Sequence, residues 1–86
     1  MANSAQARKR ARQTIVRRLR SKNAKSAMRT SIKNVLTAVE EGNKEDATTA
    51  YRAACSVLDK MVKKGHVHKN MAARQKRRLN LRLRTL

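Results

Sequence analysis

Arginine and lysine are the side chains with chemistry to offer here, and they are unevenly spread. The first 39 residues hold eleven of them and no Asp or Glu. Arg8–Arg12, Arg18–Lys22, Lys25–Arg29 and Arg29–Lys33 sit four apart, so on a helix each pair repels by about 0.2–0.5 kcal/mol. A surface that has to be soluble alone normally mixes both signs. The chemistry on offer is neutralisation of an external polyanion, and nucleic acid is the commonest dense one.

The rest of the chain sharpens this. Net charge over the 86 residues is +18, and the sequence pI is about 11.8. Residues 40–65 carry five basic and five acidic side chains, while residues 66–86 carry seven basic and none acidic. A neutral segment thus lies between two basic ones, a contrast that solubility alone would not require. Trp and Phe are absent and Tyr51 stands alone. Single-strand readers stack bases on aromatic rings. The expected target is therefore a folded nucleic acid, read through phosphates, sugars and shape.

Other chemistries have little support. Cys55 is the only cysteine. No internal disulfide is possible, and a small buried helix residue is the preferred reading of it. His66 and His68 lack the second Cys/His pair that a structural zinc site needs. No nucleophile–base pair, paired acids or phosphate-cradling glycine loop occurs, so neither an enzyme nor a cofactor is expected. No apolar run approaches the ~18 residues of a membrane span, and no signal-peptide h-region is present. A cytosolic protein is expected, with the Met1–Ala2 start trimmed.

Three helices must position the charges. Proline is absent, and Gly42 and Gly65 punctuate the chain. Helix one is expected from about Ala5 to Glu41, with Gly42 in the left-handed position after it. Asn43 can cap helix two, with Asp46 as a box-like partner. Helix two runs to about Lys64, with Lys60, Lys63 and Lys64 near its C-terminal dipole. Helix three runs from Val67 or His68 to near Leu83. Apolar stripes follow 3- and 4-residue spacing. They are Met28, Ile32, Val35, Leu36 and Val39; then Ala47, Ala50, Tyr51, Ala54, Leu58, Met61 and Val62; then Ala72, Leu79, Leu83 and Leu86, with Val67 and Met71 beside the last. Short connections make neighbours antiparallel. The expected fold is all-α, a single-domain three-helix bundle, marginal in stability because so short a chain buries only roughly 60% of its unfolded surface.

Helix one is too long for that bundle. At about 1.5 Å per residue it spans roughly 55 Å, against about 30 Å for helix two. Upstream of Met28 the stripe lapses: Lys25 and Ser21 take its angular positions, and Ile15, Val16 and Leu19 point elsewhere. Residues 1–25 are expected to project as a basic rod from a bundle over 26–86, poorly ordered until a partner binds. On that rod Arg8, Lys9, Arg10, Arg12, Arg17, Arg18, Arg20 and Lys22 cover the whole helical wheel, as suits enclosure between several phosphate backbones. Lys25, Arg29 and Lys33 continue the series. On helix three Asn70, Arg74, Arg77 and Arg84 lie opposite the apolar stripe, and Arg78 is grouped with them as a contact. Helix two buttresses the bundle.

Rival readings exist. Met28, Ile32, Val35 and Val39 repeat like a basic zipper, but the repeat stops at Gly42, short of the three or four heptads needed. A nucleoid-type DNA binder shares the charge pattern. A membrane-active cationic helix usually carries Trp or Phe.

The segment Lys64-Gly65-His66-Val67-His68-Lys69-Asn70-Met71-Ala72-Ala73-Arg74-Gln75-Lys76 resembles the signature of the bacterial small-subunit ribosomal protein S twenty family. That signature is usually Lys-Gly-aliphatic-aliphatic-His-Lys-Asn-x-Ala-Ala-Arg-x-Lys. The opening Met1-Ala2-Asn3, the Lys9-Arg10 step and Met28-Arg29-Thr30-Ser31-Ile32-Lys33 are similar to it as well. Two departures stand out: His66 replaces an aliphatic residue, and Ile15–Val16 is more apolar than usual. The resemblance implies a three-helix bundle that binds small-subunit ribosomal RNA directly, early in assembly, near the foot of the particle, beside other small-subunit components. It implies contacts to the 5′ domain and the long 3′ minor-domain helix. By matching position it implies RNA contacts at Arg10, Arg29, Thr30, Lys33, His68, Lys69, Asn70, Arg74 and Lys76.

Overall fold

Two glycines set where the chain turns. The computed structural model describes residues 3–86 as three successive helices: α1 (Asn3–Glu40), α2 (Lys44–Lys63) and α3 (Lys69–Arg84). Met1 and Ala2, the expected trimming site, lie outside the described residues. Gly42 and Gly65 hold φ of 72° and 78°, a conformation that costs other L residues about 1–2 kcal/mol. Both helix ends close in one way. The Gly42 N–H donates to the Val39 carbonyl at 3.0 Å and the Asn43 N–H to that of Ala38 at 3.3 Å. Gly65 and His66 repeat the pattern onto Val62 and Met61 at 3.0 and 2.9 Å. This Schellman arrangement satisfies carbonyls that a helix end leaves without partners.

Asn43 also starts α2. Its side-chain oxygen accepts from the Asp46 N–H at 3.1 Å, and its amide donates to the Asp46 carboxylate at 2.9 Å. The box-like cap read from sequence is present. Asn43→Ala is expected to cost about 1 kcal/mol, seen as a lower denaturant midpoint at unchanged slope.

The three apolar stripes meet in two clusters. Met28, Leu58, Met61 and Ala72 form one, flanked by Ile32, Val62 and Met71. Val35, Ala54 and Leu79 form the other, nearer the α1–α2 turn, flanked by Ile32, Leu36, Val39, Ala50 and Tyr51. Ile32 joins both. The zipper-like repeat of α1 is thus packed against α2 and α3 of its own chain. Periodicity missed Ala38, which is buried while Leu36 and Val39 are only half-buried. Ala38 and Ala47 flank the short connection, where small side chains let two helices approach closely.

On α3 the stripe has a gap between Ala72 and Leu79, filled by half-buried Gln75 and Lys76. The Lys76 ammonium pairs with the Asp59 carboxylate of α2. With the two side chains 32% and 62% exposed, the pair contributes at most about 1 kcal/mol. Leu83 and Leu86 are half-buried, and Cys55, expected to be buried, is only half-buried.

The long α1 carries the molecule to 64 Å in its longest dimension, against 22 and 13 Å in the others. Every side chain from Ser4 to Arg20 is exposed; partial burial begins at Ser21 and Ala24, and full burial at Met28. Ile15 and Leu19 are 56% and 54% exposed. Up to Arg20 the rod is helical with no other helix covering it. Its like charges four apart repel, and most helical stability in proteins comes from tertiary packing, which it lacks. Amide exchange on the free protein in low salt is expected to show little protection before about residue 25. Strong protection there would contradict the expectation.

Candidate nucleic-acid interface

Apart from Lys76, charge on the two basic helices is exposed, and on the described residues of the rod it is exposed all round. Arg8, Lys9, Arg10, Arg12, Arg17, Arg18, Arg20 and Lys22 all face solvent. All five acids lie between Glu40 and Asp59, so none interrupts the rod. Arg18, Lys22, Lys25 and Arg29 line one concave strip along α1. Spaced by four, three and four residues, they share a helix face.

That strip leads into the bundle. Lys25 and Arg29 also line a groove of about 620 Å³ with His66, His68 and Gln75, over a floor that includes Met28, Ile32 and Met71. The fold thus brings Lys25 and Arg29, one turn apart on α1, together with His68, about forty residues further along the chain. His68 is the N-cap of α3, and its Nδ1 accepts from the Asn70 N–H at 3.1 Å. With Nδ1 engaged as acceptor, the ring proton sits on Nε2, which is left to donate outward. This geometry permits capping and a phosphate contact together. His68→Ala is expected to cost about 1 kcal/mol of stability through the lost cap, read from the denaturant midpoint.

The remaining candidates divide. Thr30, Lys33, Lys69, Asn70, Arg74, Arg77 and Arg78 are exposed. On α3, Asn70, Arg74, Arg77 and Arg84 form the face opposite Ala72 and Leu79, and Leu81, 52% exposed, lies among them. Sequence reading did not single out Leu81. Lys76 is half-buried and pairs with the exposed Asp59 of α2. Arg74→Gln with Arg77→Gln is expected to weaken RNA binding by about 1–3 kcal/mol in total and leave helicity unchanged. Neutral behaviour there, with a large effect at exposed Arg52 of α2, would mean the bundle docks the other way round.

Tyr51 offers no stacking platform. It packs against Val35, Ala54 and Leu79, and burial, with Cys55 alongside, pushes its phenol above its ordinary value. Among the described residues no group of three His, Cys, Asp or Glu side chains could hold a metal, and no helix is long and apolar enough to cross a membrane.

Two comparisons bear on this surface. The family model of ribosomal protein S20 matches residues 2–84. The small ribosomal subunit protein bS20 of Nitrosococcus oceani is 49% identical over 86 residues, covering 100% of this chain and 99% of that one. The bS20 proteins of Hydrogenovibrio crunogenus and Acidithiobacillus ferrooxidans are each 52% identical over the whole chain, covering 99% and 94% of their own lengths. The chain belongs to the ribosomal protein S20 family. Its S20 signature segment is the α2–α3 turn and the first two turns of α3. Gly65 there is the left-handed residue, and His68 is the cap. The aliphatic residue that usually stands at the His66 position fits the physics of the turn: the second residue after a Schellman end usually packs on the residue it bonds, here Met61. His66 keeps that place, half-buried, and adds a polar ring.

Sequence reasoning underrated one end of α2. Lys60 and Lys64 were read as partners of the helix dipole. Both also line a cleft with Arg17 and Arg20 of α1. Their four-residue spacing, which puts them on one face, was the available signal.

Proposed function

We propose that this protein is a structural component of the small ribosomal subunit, acting in the cytoplasm within the ribosome by binding small-subunit ribosomal RNA directly and clamping RNA helices together during assembly. The observation that carries the reading is the all-round, acid-free charge of the projecting rod, set on a bundle whose third helix presents a second basic face. Two RNA backbones brought side by side repel. A cationic rod between them replaces that repulsion by charge-assisted hydrogen bonds and releases condensed counterions. Arg10, Arg29, Thr30, Lys33, Lys69, Asn70 and Arg74 are the contacts proposed by position in the family, with Arg77 and Arg78 beside them. Lys76 contacts RNA only by leaving Asp59. The proposed partners are the 5′ domain and the long 3′ minor-domain helix, and the role is structural rather than catalytic.

The test is competition. Binding to small-subunit ribosomal RNA is expected to be at least about a hundredfold tighter than to random duplex DNA of equal length at fixed salt. Equal affinity would favour a nucleoid-type DNA protein.

A further inference from the structure

We propose that the cleft where α1 leaves the bundle holds one unstacked nucleotide of the bound RNA, its base on an apolar floor and its phosphate among four cations. The proposal rests on the RNA-binding reading above and gives α2 a contact that this reading does not.

The cleft measures about 930 Å³, within the range of small-ligand sites. Ala24, Ala27, Val57 and Met61 supply its apolar surface. Met61 is 4% exposed, so it is a fixed part of the core rather than a loose side chain. Arg17, Arg20, Lys60 and Lys64 stand around that floor, with His66 at the turn. Among the described residues no acid lines it. Asp59, next in sequence to Lys60, is engaged with Lys76, so the two lysines keep their charge uncompensated.

An apolar floor with a cationic rim selects its occupant. A duplex backbone is polar throughout and gains nothing from Val57 and Met61. An inorganic anion would leave the floor uncovered. A nucleotide with its base turned out of the stack offers a flat apolar face and one phosphate together. RNA loops and bulges supply such bases, and proteins commonly read RNA through them. Ala24 and Val57, half-buried, and exposed Ala27 give the floor its accessible apolar surface over Met61, in a chain with no Trp or Phe. Arg17 and Arg20 belong to the rod that RNA encloses, so the cleft is continuous with the main contact surface.

Ala27 is exposed at the cleft, and Ala27→Leu fills it while keeping charge and helix propensity. Affinity of the full-length protein for small-subunit ribosomal RNA is expected to fall about tenfold, the effect of roughly 1.4 kcal/mol, with the salt dependence unchanged. Ala53→Leu, exposed on α2 outside the cleft, is expected to bind like the parent. Lys64→Gln is expected to reduce the slope of log K against log salt by about 0.7–0.9. A photoreactive benzophenone side chain at position 27 is expected to cross-link to a single unpaired nucleotide. Parent-like binding of Ala27→Leu, or a cross-link to another ribosomal protein in assembled subunits, would overturn the proposal while leaving the RNA-binding reading intact. Loss of RNA binding by the parent itself would overturn that reading.

Discussion

Raising salt from about 50 to about 200 mM is expected to weaken binding to small-subunit ribosomal RNA by about a thousandfold. Each neutralised phosphate contributes about −0.7 to −0.9 to the slope of log K against log salt. Eighteen of the twenty-three basic residues lie outside the neutral segment 40–65. Lys76 is held by Asp59, but the strip Arg18–Lys22–Lys25–Arg29 and the exposed α3 face alone supply enough cations for a slope of about −5 or steeper. A slope near −1 would mean that the charge is merely solvated. A clamp engaging several backbones at once would then be ruled out.

Leu58→Ala is expected to remove about 2–5 kcal/mol from folding. Leu58 is 1% exposed and touches the cluster formed with Met28, Met61 and Ala72, so truncation leaves a cavity at the point where all three helices meet. In so small a domain this loss is a large part of total stability. Binding should suffer only through folding. Saturating RNA, at about 100 times the dissociation constant, should restore about 2.7 kcal/mol of apparent stability. If Leu58→Ala folds with parent-like stability, α2 is not the support assigned to it.

Much of this was legible in the sequence because the signals were local. Gly42 and Gly65 mark the turns, Asn43 and Asp46 form the cap, and the rod follows from a stripe that stops before Met28. The helix ends differ from those read by sequence by only one or two residues. What was not legible depended on three dimensions. Ala38 is buried because a short connection draws two helices together, a property that hydrophobic spacing does not encode. Lys76 sits where the apolar stripe lapses, and its pairing with Asp59 needs the α2–α3 packing to be known. The meeting of Lys25 and Arg29 with His68, and of Arg17 and Arg20 with Lys60 and Lys64, comes from the angle at which α1 passes the α2–α3 turn. In the sequence these are scattered cations, individually indistinguishable from a solvated surface.

The central claim is that α1 and α3 face RNA while the outer side of α2 does not. Acetylation of lysines on the protein, with and without small-subunit ribosomal RNA, tests it most directly. The account predicts that Lys9, Lys22, Lys25, Lys33 and Lys69 become protected in the complex. Lys44 and Lys63, both exposed on α2, should react as in the free protein. Protection of Lys44 and Lys63, with Lys25 and Lys69 still reactive, would contradict it.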